Sequence, residues 1–96
     1  MSKAYIIAQA TVRDVALYED YKRLAQLAVE KYAGRYVVRG GATRLLEGDW
    51  HPPRLVILEF DGVDAAQRFY DSPEYQAARK ARQSAASMNM LVVEGV

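Results

Sequence analysis

The segment from Gly40 to Phe60 restricts most strongly what this chain can fold into. Residues 35–47 and 54–61 have the composition of strands and residues 48–53 that of a loop, so the sequence predicts a β-hairpin. The second strand is apolar on both faces, with Val56, Leu58 and Phe60 on one side and Leu55 and Ile57 on the other. A chain of 96 residues has too little helix to cover both faces of a sheet. One face must therefore be covered by something else.

Composition and charge exclude several classes of function. Apolar residues make up 51% of the chain and charged residues 26%, as in an ordinary globular domain, and we expect one domain over residues 1–96. The net charge is +1 without a long basic run, so we expect no nucleic-acid partner and no membrane partner. The chain has no cysteine, which excludes disulfides and thiolate chemistry. No segment resembles a signal peptide or a membrane span, and we therefore expect a cytoplasmic location.

The rest of the chain alternates between strand and helix patterns. The small residues Ala4, Ala8 and Ala10 share one face of a first strand at 4–12. A helix capped by Asp14 follows and runs to about Ala33, and Gly34 is predicted as the left-handed residue that ends it. After the hairpin we predict a short helix from about Asp64 and a second helical piece that is capped by Ser72 and runs to about Ser84. The last predicted element is a strand over 88–94.

The order of these elements is βαββαβ, which indicates an α+β protein. Right-handed crossovers place the helices on one side of a four-stranded antiparallel sheet with spatial order 4-1-3-2, a ferredoxin-like sandwich. The uncovered face then carries Tyr5 and Ile7 of the first strand, Leu55 and Ile57 of the third, and apolar residues of the last strand. Monomers seldom expose an apolar patch of this size. We therefore predict a homodimer in which two sheets pack face to face.

Glu59 is the first candidate for a catalytic residue. It follows Leu55 and Ile57 on one face of a predicted central strand, where a carboxylate must be paired, hydrogen-bonded or protonated. A simple hairpin register places it opposite the region of Gly41 and Ala42, where glycine leaves room for a pocket. The structural alternative is an ion pair with Arg39, Arg44 or Arg82.

The loop offers a second pair of candidates. His51 is the only histidine and could act as an acid or a base, although without a neighbouring Cys or His it predicts no metal site. Trp50 could bind a substrate or cover the rim of an interface. The alternative for His51 is an ordinary solvated loop residue.

Three further residues are candidates for binding a substrate. Tyr75 and Arg82 lie two helical turns apart and share a helix face, so Arg82 could meet an acidic ligand and Tyr75 could donate a hydrogen bond. Arg39 is a further cationic candidate. The alternative for Arg82 is a cationic helix end that interacts with the helix dipole. With seven tyrosines against two phenylalanines, two or three tyrosines could line a polar cavity, or could lie half-buried with their hydroxyls in water.

The pattern as a whole resembles the family called domain of unknown function 1330. The resemblance rests on residues 40–41, 46–50, 53–54, 58–60, 65–66, 69–70, 72–76 and 93–96, together with Arg79 and Arg82. It covers nearly the whole chain and implies a dimeric α/β-barrel of ferredoxin-like protomers. Relatives by fold include small monooxygenases, muconolactone isomerases and haem-handling enzymes, so the resemblance implies a fold and no particular reaction.

Three hypotheses about function follow. The first is a cofactor-independent enzyme or a binder of a small acidic or polar metabolite, with Glu59 as base or anchor, Arg82 as anion partner and Tyr75 as donor. The second is a non-catalytic dimeric interaction module with a filled interior and every charge paired. The third, a haem protein, needs an axial ligand such as His51 facing a large cavity. We favour the first and expect no cofactor.

Overall fold

The computed structural model describes residues 2–96. These residues form seven elements: β1 (Ala4–Val12), α1 (Val15–Lys31), β2 (Arg35–Arg39), β3 (Leu55–Phe60), α2 (Val63–Asp71), α3 (Pro73–Ala81) and β4 (Ala86–Glu94). The strands form one sheet with order β2-β3-β1-β4, and its pairings are antiparallel. This order is 4-1-3-2 read in reverse, so the predicted ferredoxin-like fold is confirmed.

Two side chains set where helices begin. The carboxylate of Asp14 accepts a hydrogen bond from the backbone N–H of Leu17 at 3.1 Å and caps α1. The hydroxyl of Ser72 accepts one from the N–H of Tyr75, also at 3.1 Å, and Pro73 occupies the first helical position of α3. Both caps were predicted from the sequence, and the second fixes the position of Tyr75.

The end of α1 corrects the prediction made for Gly34. The left-handed residue is Ala33, with φ of 60°, while the N–H groups of Ala33 and Gly34 bond to the carbonyls of Glu30 and Val29. Gly34 is needed for a different reason: a Cβ at this position would lie 2.6 Å from two ring atoms of Phe60. Glycine therefore allows close packing here and does not supply an unusual φ.

The prediction that β2 extends to Glu47 is wrong, since β2 ends at Arg39 and residues 40–54 contain no helix or strand. Gly40 adopts φ of 71° and its N–H donates to the carbonyl of Leu55 at 2.8 Å, which turns the chain away from the sheet. The predicted register was also wrong, because Glu59 pairs with Arg35 and not with the region of Gly41.

The sheet has one face beneath the helices and one that the chain leaves open. On the covered face, Ala4, Ile6, Ala8 and Ala10 of β1 and Leu58 and Phe60 of β3 are buried in the hydrophobic core. On the open face lie Tyr5, Ile7, Ile57, Glu59, Leu91 and Val93, as the strand register requires. Leu91 is 58% exposed and Val93 44% exposed. Within residues 2–96 no helix is long and apolar enough to cross a bilayer.

Candidate functional site

A group of tyrosines lies between the helices and the covered face. Tyr18 and Tyr21 come from α1, Tyr36 from β2 and Tyr75 from α3, and together they line one cavity. The spacing of three residues puts Tyr18 and Tyr21 on the same side of α1, with ring centroids 5.3 Å apart. We call this region the tyrosine–arginine cleft, because Arg39 and Arg54 line it as well.

The inner end of the cleft is a pair of buried phenols. The hydroxyl oxygens of Tyr21 and Tyr75 lie 2.7 Å apart and share a hydrogen bond. The Tyr75 hydroxyl also lies 3.5 Å from the sulfur of Met90 on β4, to which it can donate. Tyr75 is 1% exposed, so its hydroxyl depends on these partners inside the protein.

Burial determines the protonation of this pair. Burial raises the pKa of Tyr21 well above its usual 10.0, and the nearby Tyr75, whose phenolate would carry the same negative charge, adds to the effect. Burial also raises the pKa of Tyr75, although its hydrogen bond with Tyr21 and the positive charge of Arg82 act in the opposite direction. Both phenols are therefore neutral at physiological pH, and they serve as hydrogen-bond donors and not as bases.

Guanidinium groups surround the tyrosine rings. The Cζ of Arg39 lies 4.2 Å from the ring centroid of Tyr36, that of Arg54 lies 5.7 Å from Tyr18, and that of Arg82 lies 5.5 Å from Tyr21. Among residues 2–96, Arg39, Arg54 and Arg82 form no ion pair with a carboxylate. Three neighbouring cations without a neutralising acid make this region electropositive.

The position of Arg54 depends on a glycine. A Cβ at Gly40 would lie 2.3 Å from Nη1 of Arg54, so the guanidinium occupies the space that a side chain would fill. The buried Nε atoms of Arg54 and Arg82 have no hydrogen-bond partner within the described part of the chain. Each of these Nε–H groups therefore lacks the acceptor that a buried donor normally has.

The enclosed space in the cleft is small. Its volume is about 30 Å³, with Lys22, Arg39 and Arg54 among the lining residues. A volume of this size is about that of one water molecule. A metabolite can enter only if the long side chains at the outer edge move, which flexible Lys and Arg side chains permit.

The sheet separates the candidates predicted from the sequence into two groups. Arg39, Tyr75 and Arg82 lie on the covered side, where Arg39 and Tyr75 line the same cleft and Arg82 contacts it. Glu59 lies on the open face, so the predicted grouping of Glu59 with Tyr75 and Arg82 is wrong. Alternating side chains of a strand point to opposite faces of a sheet, and this separates them.

Glu59 forms an ion pair, but with Arg35 and not with Arg39, Arg44 or Arg82 as the structural alternative predicted. Its carboxylate contacts the guanidinium of Arg35, its cross-strand neighbour on β2, as an ion pair. The Glu59 side chain is only 12% exposed while that of Arg35 is 66% exposed, so the charged pair lies at the edge of the open face. The catalytic role predicted for Glu59 stays a prediction.

The loop candidates lie outside the cleft. The side chain of His51 is 72% exposed and its Nε2 is 3.6 Å from a carboxylate oxygen of Asp49. Trp50 donates from Nε1 to the side-chain oxygen of Gln9 at 3.1 Å, which anchors the loop to the open face. Their predicted roles also stay predictions. Within residues 2–96 no group of three His, Cys, Asp or Glu side chains could hold a metal ion.

Sequence reasoning missed Tyr18, Tyr21 and Arg54 as members of the site. The surplus of tyrosine over phenylalanine was the available signal, since it indicated that some tyrosines line a polar cavity. Tyr21 and Tyr75 are separated by 54 residues in the chain and meet through the packing of α1 on α3. No local pattern reports such a contact.

The sheet order, the single layer of helices and the open face define a ferredoxin-like α+β protein. The chain belongs to the family described as domain of unknown function DUF1330, whose model matches residues 3–96. The family predicted from the sequence is thus confirmed. No curated protein sequence matches this chain.

Solved structures with this fold include proteins from several bacteria. A protein of unknown function from Rhodopseudomonas palustris has a TM-score of 0.78 at 21% identity, over 99% of this chain and 83% of that chain. A cofactor-independent oxygenase from Streptomyces nogalater has a TM-score of 0.65 at 16% identity, over 97% and 92%. A dimeric ferredoxin-like protein of unknown function from Bacteroides fragilis has a TM-score of 0.63 at 17% identity, over 96% and 95%. At these identities the likeness shows the fold alone.

Proposed function

We propose that this protein binds a small acidic metabolite in the tyrosine–arginine cleft. The observation that carries the proposal is the set of three guanidinium groups, Arg39, Arg54 and Arg82, that surround the cleft without a carboxylate partner among residues 2–96. Guanidinium groups bind carboxylates through paired N–H donors, and burial strengthens such bonds. An acidic ligand would supply the negative charge that this part of the chain does not.

The lining suggests how such a ligand would be oriented. Its carboxylate would lie at the outer edge against Arg39 and Arg54. The N–H donors of these two side chains would replace the water around the carboxylate. Its body would lie along the rings of Tyr18 and Tyr36, and its far end would meet the neutral hydroxyls of Tyr21 and Tyr75. The flat walls favour a planar, aromatic acid over a branched one.

Binding is better supported than catalysis. No carboxylate or histidine lines the described cleft, the two inner phenols are neutral, and Glu59 faces the other side of the sheet. A general base must lie within hydrogen-bond reach of the proton that it removes. The oxygenase from Streptomyces nogalater shares only the fold, and a shared fold does not carry a reaction to this chain.

The test is a thermal-shift experiment with benzoate and 4-hydroxybenzoate, with benzamide as the uncharged control. A ligand at about ten times its Kd stabilises the native state by about 1.4 kcal/mol, which raises the Tm by roughly 6–11 °C in a domain of this size. We expect this shift with the two acids and little with benzamide. Arg54→Gln and Arg39→Gln should each reduce it.

Arg68→Gln is the matched control, because Arg68 lies on α2 and does not line the cleft. This variant should keep the full shift. An equal response to benzamide, or a shift that survives both Arg54→Gln and Arg39→Gln, would contradict the proposal.

A second candidate, a dimeric module without a small ligand, is favoured by one observation. The enclosed space of about 30 Å³ is far smaller than the roughly 300–1,000 Å³ of ordinary ligand pockets. The same experiment separates the two candidates, since the module would respond to none of the acids in the wild-type protein.

We also propose that the chain forms a homodimer through the open face. Leu91 and Val93 are largely exposed on this face beside Ile7 and Ile57, and apolar patches of this kind usually mark an interface. The protein from Bacteroides fragilis that shares this fold is described as dimeric, which supports dimerisation here. We expect a dimer by sedimentation velocity at micromolar concentration and a monomer for Leu91→Asp. A wild-type monomer at that concentration would contradict the proposal.

A further inference from the structure

Two surface depressions outside the tyrosine–arginine cleft share one lining residue, Tyr70. The first is a mainly apolar groove of about 290 Å³ between α2 and β4, lined by Ile6, Ala66, Gln67, Met90, Leu91 and Val92. Of these residues, Leu91 also belongs to the proposed dimer interface. The second is a polar depression of about 540 Å³ along the end of α3, lined by Gln76, Arg79, Lys80 and Arg82. The groove and the depression have opposite character, and Tyr70 borders both.

The groove exists because small residues leave room beneath an edge strand. Ala66 on α2 is fully buried at its base, and Met90 and Val92 come from the covered side of β4. Val92 is nevertheless 37% exposed, so α2 does not close the groove over this end of β4. The groove can therefore accept an apolar chain without moving a helix.

Arg79 lines the polar depression next to Tyr70. Its Nη1 donates to the hydroxyl of Tyr70 at 2.7 Å, and its Cζ lies 4.3 Å from the centroid of the Tyr70 ring. Both contacts hold the guanidinium against α2, and its buried Nε has no hydrogen-bond partner in the described residues. Arg79, Lys80 and Arg82 form no ion pair within residues 2–96. One cation is enough to offset the dipole at a helix end, so the dipole alone does not account for all three.

We propose that these two depressions form a single site for an aliphatic carboxylate. The alkyl chain lies in the groove between α2 and β4, and the carboxylate lies against Arg79, with Lys80 adding charge. Charge complementarity selects an anion, and the apolar groove next to it selects one with a hydrocarbon tail. Met90 lines both the cleft and the groove, and Arg82 contacts the cleft and lines the depression. The proposed carboxylate partner Arg79 does not line the cleft, so this site does not depend on the proposed function.

The experiment is calorimetric titration of the purified full-length protein with octanoate, octanol and acetate at constant ionic strength. Octanoate should bind, octanol should bind about tenfold more weakly because it lacks the charge, and acetate should give no heat because it lacks the chain. Arg79→Gln should weaken octanoate binding about tenfold and leave octanol binding unchanged.

Two groove variants test the apolar half. Gln67→Trp changes an exposed lining residue and should block the groove, and Val92→Glu should repel the ligand. Arg68→Gln, on the same helix but outside both depressions, should bind octanoate as the wild type does. Octyl sulfate in place of octanoate shows whether the head group must be a carboxylate, and tighter binding of the sulfate would overturn that part of the assignment.

Several results would overturn the site itself: no heat with octanoate, equal affinity for octanol, or octanoate binding that survives both Arg79→Gln and Gln67→Trp. Octanoate-induced dissociation of a dimer would also overturn it, since the groove would then be covered by a second copy of the chain. Arg54→Gln should keep octanoate binding and weaken benzoate binding. The two ligands therefore test the two sites separately.

Discussion

The covered face and the open face of the sheet differ in what each one lacks. On the covered face, Leu58 is 5% exposed and packs in the core, but the arginines beside it have no carboxylate partner among residues 2–96. On the open face, the Glu59 carboxylate is paired with Arg35, while Leu91 remains largely exposed. The covered face has a packed core beside unpaired positive charges, whereas the open face has a paired charge beside exposed apolar side chains. An acidic ligand would complete the first, and a second subunit would complete the second.

The largest expected effect comes from neighbouring residues of β3 that point to opposite faces. Leu58→Ala removes buried atoms from the core and should lower the free energy of unfolding by about 2–5 kcal/mol. Ile57→Ala acts on the open face, where the side chain is half-buried in one subunit. Its cost should be small in dilute protein and should grow with protein concentration, because the proposed dimer would bury this position.

Chemical denaturation of both variants at several protein concentrations measures this difference. The wild type and Ile57→Ala should converge as the protein is diluted, while Leu58→Ala should remain far less stable throughout. An Ile57→Ala cost that does not change with concentration would show that the open face is not an interface.

A smaller effect is expected where α1 joins the covered face. Gly34→Ala introduces a Cβ that would lie 2.6 Å from the ring of the fully buried Phe60, so the ring must shift. Overpacking of this kind usually costs about 1–3 kcal/mol. Ala33→Gly should instead raise the free energy of unfolding by about 0.5–1 kcal/mol, because glycine adopts φ of 60° without the steric penalty that alanine bears.

Thermal unfolding of the two variants beside the wild type provides the test. Opposite shifts in Tm would show that the glycine and the left-handed position are separate requirements at this helix end. A loss of stability in Ala33→Gly would contradict the explanation, and so would an unchanged Gly34→Ala. Neither residue is on the open face, so both variants should form the proposed dimer as the wild type does.

These two positions illustrate what could be predicted from the sequence. Periodicity and capping residues identified the strands, the helices and their order, because both depend on residues close together in the chain. The same local pattern placed the left-handed residue at Gly34, since glycine is the usual choice there. The actual reason for glycine is Phe60, which is distant in sequence and could not be read locally.

The candidate site was harder to predict for a related reason. Residues 40–54 form a long loop and no strand, so no glycine of this segment lies opposite Glu59. The register of β2 on β3 also shifts between Tyr36 and Val38, which places Arg35 and not Tyr36 opposite Glu59. Arg39 and Tyr36 lie together on the covered side as a result, with the guanidinium over the ring. The alternation of apolar and polar residues predicts which face of the sheet each residue of a strand occupies, but it does not predict where a bulge interrupts the pattern.

The smallest expected effect tests the contact between helices above the covered face. The carboxylate of Glu74, in the first turn of α3, lies 2.6 Å from Nζ of Lys31 and accepts a hydrogen bond from the hydroxyl of Tyr32 at 2.9 Å. The hydrogen bond from Lys31 is the main cause that lowers the pKa of Glu74 from its usual 4.5 to about 2. Because the folded pKa lies below the unfolded one, the ionised carboxylate stabilises the folded state above about pH 4.5, and this contribution is lost as the pH falls towards 2.

Glu74→Gln should therefore be slightly less stable than the wild type at pH 7 and should match it near pH 2. The difference at pH 7 should be small because this surface pair is screened by water. Asp61→Asn removes the more exposed pair with Lys3 and serves as the control, with stability close to that of the wild type. Denaturation curves between pH 2 and pH 7 measure the effect. A Glu74→Gln difference that is the same at both ends of this range would show that the side chain acts through packing and not through its charge.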